Sequence, residues 1–162
     1  MRLAFDENLP PGLPRAMATT VDTDEFQHTV DVVGRGATDE AIFATLAQEG
    51  DTVLVTLDMR QTRTPHIRKA LEESGISVIY LADGWADLDN LTRLELFCRW
   101  WPKIKEALET YERGAWFEVP KSRALRDLRP ISQSRRRKRD ALRRRGPSDP
   151  TRPIRRKLDL SD

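Results

Sequence analysis

Along the first 119 residues, apolar positions come in short blocks whose spacing predicts strands and helices by turns. Residues 2–5 predict a short strand ending at Asp6-Glu7-Asn8. Pro10-Pro11 predicts the opening of a helix running to about residue 18, because proline is tolerated in a first turn. Residues 21–33 keep no clean period and predict an irregular strand and a loop closing at Gly34-Arg35-Gly36. Thr38 is a good N-cap for a helix over 39–49, with Ile42, Phe43, Leu46 and Ala47 on one face and Gly50 as its stop. Thr52-Val53-Leu54-Val55-Thr56 is β-branched and nearly continuous, the pattern of a strand buried on both faces. A helix over 65–74, stopped by Gly75, and a second buried strand over 76–82 follow. Strands separated by helices of about ten residues predict right-handed βαβ crossovers, a mainly parallel sheet and therefore an α/β fold.

A long helix is predicted over 89–111, with Leu91, Leu94, Cys98, Trp101, Ile104, Leu108 and Tyr111 on one face. Pro102 is expected to kink it or divide it in two. Trp100 and Trp101 read as core and not as a base-stacking platform, because Trp101 lies in the apolar stripe. Residues 115–119 predict an edge strand before Pro120 closes the body.

Charge divides the chain. Residues 1–119 hold 12 Lys/Arg and 21 Asp/Glu, a net charge of −9, and residues 120–162 hold 16 and 5, a net of +11. The chain thus reads as one acidic domain over 1–119 and a basic tail over 120–162. The tail has five of the ten prolines and no aromatic residue, so it is expected to be disordered. Its densest basic run is Arg135, Arg136, Arg137, Lys138, Arg139, Arg143, Arg144 and Arg145. This run can attract nucleic acid by neutralising phosphates, fold on a protein partner, or simply be solvated.

Several classes drop out. No apolar run exceeds five residues (78–82), so no membrane span is expected. The first residues carry no secretory pattern, and one cysteine, Cys98, excludes a disulfide framework or a zinc site of several thiolates. His28 and His66 sit in no metal-binding spacing. A cytoplasmic protein is expected.

The chemistry left is carboxylate chemistry. Three predicted strands end in an acid, Asp6, Asp58 and Asp83, and Asp39 begins a helix. Ligands of parallel sheets bind at the carboxyl ends of the strands. Asp39 reads either as an acid favoured by the helix dipole or as one heading the buried stripe and needing a partner there. A cluster of Asp6, Asp39 and Asp58 would be self-repelling without a cation, and oxygen-only ligands select Mg²⁺ or Mn²⁺. Such ions activate water for in-line phosphodiester displacement. No Ser-His-Asp set, Cys-His pair or phosphate-cradling glycine loop competes. A receiver-like phosphoacceptor would need a hydroxyl and a lysine at the ends of later strands, and residues 76–83 end without either.

Phe5-Asp6-Glu7-Asn8-Leu9-Pro10-Pro11, then Gly36-Ala37-Thr38-Asp39-Glu40, then Val53-Leu54-Val55-Thr56-Leu57-Asp58 together resemble the short PIN-like domains. Arg60, Arg63, Pro65 and the strand Ile76-Ser77-Val78-Ile79-Tyr80-Leu81 are similar to the VapC-type toxin branch. The resemblance covers about residues 1–85. It implies an α/β/α sandwich, a Mg²⁺- or Mn²⁺-dependent ribonuclease, and a toxin neutralised by an antitoxin protein. It implies further that Asp6, Asp39 and Asp58 are the catalytic and metal-holding acids, with Thr56 in support. The family's additional helical acid has no counterpart between Asp6 and Asp39, which leaves Glu7, Glu40 or Asp83 to substitute. Asn8 is expected to order its loop, and Arg60, Arg63, Arg68 and Lys69 to hold substrate phosphates or lie solvated. His66 reads as a surface histidine near the proposed mouth. The expected function is a toxin-type endoribonuclease acting on RNA. The alternative is a catalytically inactive module that binds nucleic acid or a protein through its tail. A homodimer stays open.

Overall fold

The predicted strands pair side by side into one sheet that is parallel throughout, in the order β2-β1-β3-β4-β5. The structure, a computed structural model, describes residues 1–131. Its elements are β1 (Arg2–Phe5), α1 (Gly12–Thr20), β2 (Glu25–His28), α2 (Thr29–Val33), α3 (Asp39–Gln48), β3 (Thr52–Thr56), a 3₁₀ turn (Met59–Thr62), α4 (Pro65–Ser74), β4 (Ser77–Leu81), α5 (Asn90–Thr110) and β5 (Trp116–Val119). Every residue of β3 and β4 is buried, as their unbroken apolar runs require. The α3 helix starts where Thr38 accepts the Ala41 N–H, and α4 ends where Gly75 turns left-handed at φ 65°.

Alternate strand residues feed two cores. Leu3, Phe5, Val53, Val55, Ile79, Leu81, Phe117 and Val119 pack under α1 and α5. Ala4, Leu54, Val78, Tyr80 and Trp116 pack under α3 and α4. Helices therefore cover both sheet faces, completing three α/β/α layers. Each large side chain buried this way contributes about 1.5–3 kcal/mol.

One crossover departs from the expected hand. The chain moves from β3 to β4 and from β4 to β5 in the same direction across the sheet, yet α4 and α5 cover opposite faces. The β4–α5–β5 connection is therefore of opposite hand to β3–α4–β4, against a strong rule for parallel strands. Coverage explains it: α3 and α4 already occupy one face, and α1 alone spans nine residues of the other.

The segment over 21–33 also differs, for its second half is a short helix, α2, capped by the His28 ring accepting the Val30 N–H. The α5 helix runs continuously through Pro102 and is not divided. Its buried face is Arg93, Leu96, Phe97, Trp100, Trp101, Ile104 and Ala107. Leu91, expected on that face, is 77% exposed, and Leu94, Cys98 and Leu108 lie at its margin. Arg93 is buried because its guanidinium donates to the carbonyls of Trp85, Ala86 and Leu88, closing the loop before the helix. Both tryptophans are core residues, Trp100 donating its ring N–H to the Ser122 carbonyl at 2.8 Å.

Residues 120–131, assigned to the tail by composition, run back over the body. Leu128 is buried, Pro130 bridges antiparallel to Phe117, and the Ile131 N–H donates to the Trp116 carbonyl at 2.7 Å. The basic run from Arg135 to Arg145 lies outside the described residues. Among the described residues, no helix is long and apolar enough to cross a membrane.

Candidate active site

The strand order reverses beside β1, since β2 lies to one side of it and β3 to the other. The crevice beyond the carboxyl ends of β1 and β3 is therefore the place where this architecture binds ligands. A cleft of about 560 Å³ opens there, lined by Asp6, Glu7, Asn8, Thr38, Asp39, Glu40, Asp58 and His66 among others.

Asp6 leaves β1 as a buried carboxylate whose two oxygens are both held. Oδ1 accepts the Glu7 N–H at 2.7 Å. Oδ2 accepts the Thr56 hydroxyl at 2.6 Å and the Asn8 amide at 2.8 Å. Burial of a carboxylate is tolerated when donors replace water in this way. The same Thr56 Oγ1 accepts the Asp58 N–H at 3.0 Å, and Asn8 Oδ1 accepts the Leu57 N–H at 3.3 Å. Asn8 and Thr56 thus tie the ends of β1 and β3 together.

Asp39 comes from the first turn of α3. Glu7 anchors the preceding loop, its carboxylate accepting the Gly36 N–H at 2.9 Å. Gln61, from the 3₁₀ turn after Asp58, donates its amide to Asp39 Oδ1 at 2.7 Å. Burial lifts the Asp39 carboxyl above the ordinary carboxylate range; the Gln61 bond opposes this, and the charges of Asp58, Asp6 and Glu40 add to it. Asp58 is moved the other way. Arg60 donates Nε to Oδ1 at 2.9 Å and Nη2 to Oδ2 at 3.0 Å, and its backbone N–H also reaches Oδ1 at 3.0 Å. That fork lowers the Asp58 carboxyl in spite of partial burial. The Tyr80 hydroxyl, buried on β4, is raised chiefly by burial and then by the charges of Asp58 and Asp39.

The fold therefore gathers Asp6, Asp39 and Asp58, with Glu7 and Glu40, around one cleft. Asp83 is not among the lining residues and sits exposed in the turn after β4. Arg60 engages the site directly through Asp58, whereas Arg63 is exposed outside the lining. Arg68 pairs with Glu72 and lies over the Trp116 ring, and Lys69 pairs with Glu73, so both serve the outer face of α4. His66, exposed as expected, does line the cleft. Gln61 and Tyr80 were not singled out by the sequence. Gln61 stands in a polar run, Met59-Arg60-Gln61-Thr62-Arg63, that reads as solvated. Tyr80 reads as one more apolar residue of a buried strand.

The donor set fits a hard divalent cation in kind. Its carboxylates are oxygen donors, and burial first, then the charges of Asp58, Asp6 and Glu40, raise the Asp39 carboxyl. Among the described residues, however, no three His, Cys, Asp or Glu side chains already converge as a metal-holding group.

Residues 1–83, from β1 through the end of β4 and including all three aspartates, match the family model described as PIN like domain. The chain has no match among curated proteins or solved structures. With about half its length matched and the parallel sheet and acidic cleft in the matched region, the chain belongs to the PIN-like domain family, a nuclease-associated group whose members are usually metal-dependent.

Proposed function

We propose that the cleft is the active site of a metal-dependent endoribonuclease of toxin type, in the manner of the VapC branch, which a cognate antitoxin protein restrains. What supports the reading is the meeting of Asp6, Asp39 and Asp58, far apart in sequence, at the β1/β3 crevice of a nuclease-associated fold. Mg²⁺ or Mn²⁺ held by these three residues would supply an activated water and neutralise the leaving oxygen of an RNA phosphodiester. Thr56 and Asn8 hold the Asp6 carboxylate in place for that purpose. Arg60, 86% exposed at the rim, is placed to exchange its carboxylate for a substrate phosphate. The basic run from Arg135 to Arg145 adds counterion-releasing attraction for RNA that the acidic body lacks.

The test is RNA cleavage by the full-length chain. Cleavage is expected with Mn²⁺ or Mg²⁺, absent in EDTA, and reduced at least about 100-fold in Asp6→Asn and Asp58→Asn. Variants that cut RNA like the parent would overturn the assignment. A second reading, an inactive module that binds nucleic acid or a protein partner, draws support from one observation: both Asp58 oxygens are taken by Arg60. Metal-independent RNA binding without cleavage would favour it.

A further inference from the structure

Gln61 is buried to 2% exposure one residue after an arginine that is 86% exposed, and no element of secondary structure requires an amide there. Its Nε2 donates to Asp39 Oδ1 at 2.7 Å, while its Oε1 is buried without a hydrogen-bond partner. A buried acceptor left unsatisfied weakens a fold. An apolar side chain of the same length would fill the space without that defect. The single return for keeping the amide is its bond to Asp39.

That bond has a direction. A carboxylate accepts only, so the NH₂ end must face Asp39 while Asp39 is ionised, and the unpartnered oxygen is the end turned away. With Oδ1 committed to Gln61, the Asp39 carboxylate has its orientation fixed. The turn that carries Gln61 follows directly on Asp58 and begins with Asp58 accepting the Arg60 N–H. Gln61 thereby links the end of β3, which supplies Asp58, to the start of α3, which supplies Asp39.

We propose that Gln61 is a positioning residue, holding the Asp39 carboxylate in the orientation that divalent-cation uptake by the cleft requires. This rests on the reading of the cleft as a metal site. Side chains that orient a metal-ligating group in this way typically govern metal affinity by 10- to 100-fold when replaced.

The test is calorimetric titration of the full-length chain with Mn²⁺, paired with thermal unfolding of the metal-free protein. Gln61→Met keeps the length and removes the donor. It is expected to weaken Mn²⁺ binding about 10-fold or more, while the unfolding midpoint moves little, because removal of the buried orphaned oxygen offsets the lost bond to the half-buried Asp39 carboxylate. Gln61→Glu, isosteric but an acceptor, is expected to weaken binding too, although it adds a negative charge. Unchanged Mn²⁺ affinity in Gln61→Met, a lowered midpoint accompanying the loss, or tighter binding in Gln61→Glu would each overturn the proposal. If the parent itself takes up no Mn²⁺, the metal-site reading fails and this inference fails with it. Uptake by the parent that Gln61→Met leaves intact sinks the inference alone.

Discussion

Thr56 serves three partners with one hydroxyl: it donates to Asp6 Oδ2 and accepts from the Asp58 N–H and the Asn8 amide. Replacing it with valine keeps the shape and removes a hydrogen bond to a buried carboxylate. Thr56→Val is expected to lower stability by about 1–3 kcal/mol, read from denaturant midpoints at constant m-value. At Asp58 the competition is with Arg60. Removing its fork frees Asp58 Oδ2 and leaves Oδ1 with only the backbone N–H of residue 60, so Arg60→Gln is expected to tighten Mn²⁺ binding by about two- to five-fold, as for the loss of an exposed ion pair. Arg60→Lys separates causes, since it keeps the charge and loses the fork. Lysine behaving like glutamine supports competition at Asp58, and lysine behaving like the parent reduces the effect to charge. Asp6, Asp39 and Asp58 stand out in the sequence because two strand ends and a helix start mark them, whereas Thr56 stands out only through the family resemblance. Gln61 does not, because its burial depends on how the 3₁₀ turn lies against α3, which no local pattern encodes.

At the scale of elements, α5 shows where periodicity misleads. Its buried face carries Arg93, so a search for apolar spacing shifted the stripe toward Leu91, which is exposed. The guanidinium satisfied by loop carbonyls makes a charged residue compatible with the core. Pro102 in the same helix leaves the Cys98 carbonyl without its usual backbone donor. It is exposed, so Pro102→Ala is expected to raise stability by about 1–3 kcal/mol without altering the fold, seen as a higher unfolding midpoint. The opposite hand of the β4–α5–β5 crossover was equally hidden. The handedness rule concerns one connection at a time, whereas here the unmet need of a whole sheet face sets the path of α5.

For the whole molecule, charge bears on stability and on the proposed contact with RNA. The Asp24 side chain is 2% exposed and is bound by Lys105, Thr23 and the Met1 amino group. Burial alone would raise its carboxyl, but the hydrogen bonds from Lys105, the amino group and Thr23 prevail and hold it below the ordinary range. A group depressed in the folded state stabilises above its unfolded value, near pH 4, and loses that contribution as pH falls through the folded value. Asp24→Asn is therefore expected to lower the unfolding midpoint at pH 7 and to shrink the drop between pH 7 and pH 3. Residues 132–162 hold 12 of the 28 Lys/Arg and only 4 acids. Their removal is expected to weaken RNA binding and flatten its dependence on salt. The split between acidic body and basic tail was visible from composition. The attachment of 120–131 was not, because it rests on Leu128, the Ile131 N–H bond to the Trp116 carbonyl, the Trp100 bond to the Ser122 carbonyl and ion pairs of Asp127 and Arg123, too few apolar residues to register in a sequence pattern.

The central claim is that Asp6, Asp39 and Asp58 make one cation-holding cleft. Mn²⁺ titration of the full-length parent beside Asp6→Asn, Asp39→Asn and Asp58→Asn tests it most directly. The parent should bind Mn²⁺ and each substitution should weaken that binding by at least about 10-fold with the fold retained. Equal Mn²⁺ affinity in the parent and all three variants, or no uptake by the parent, would contradict it.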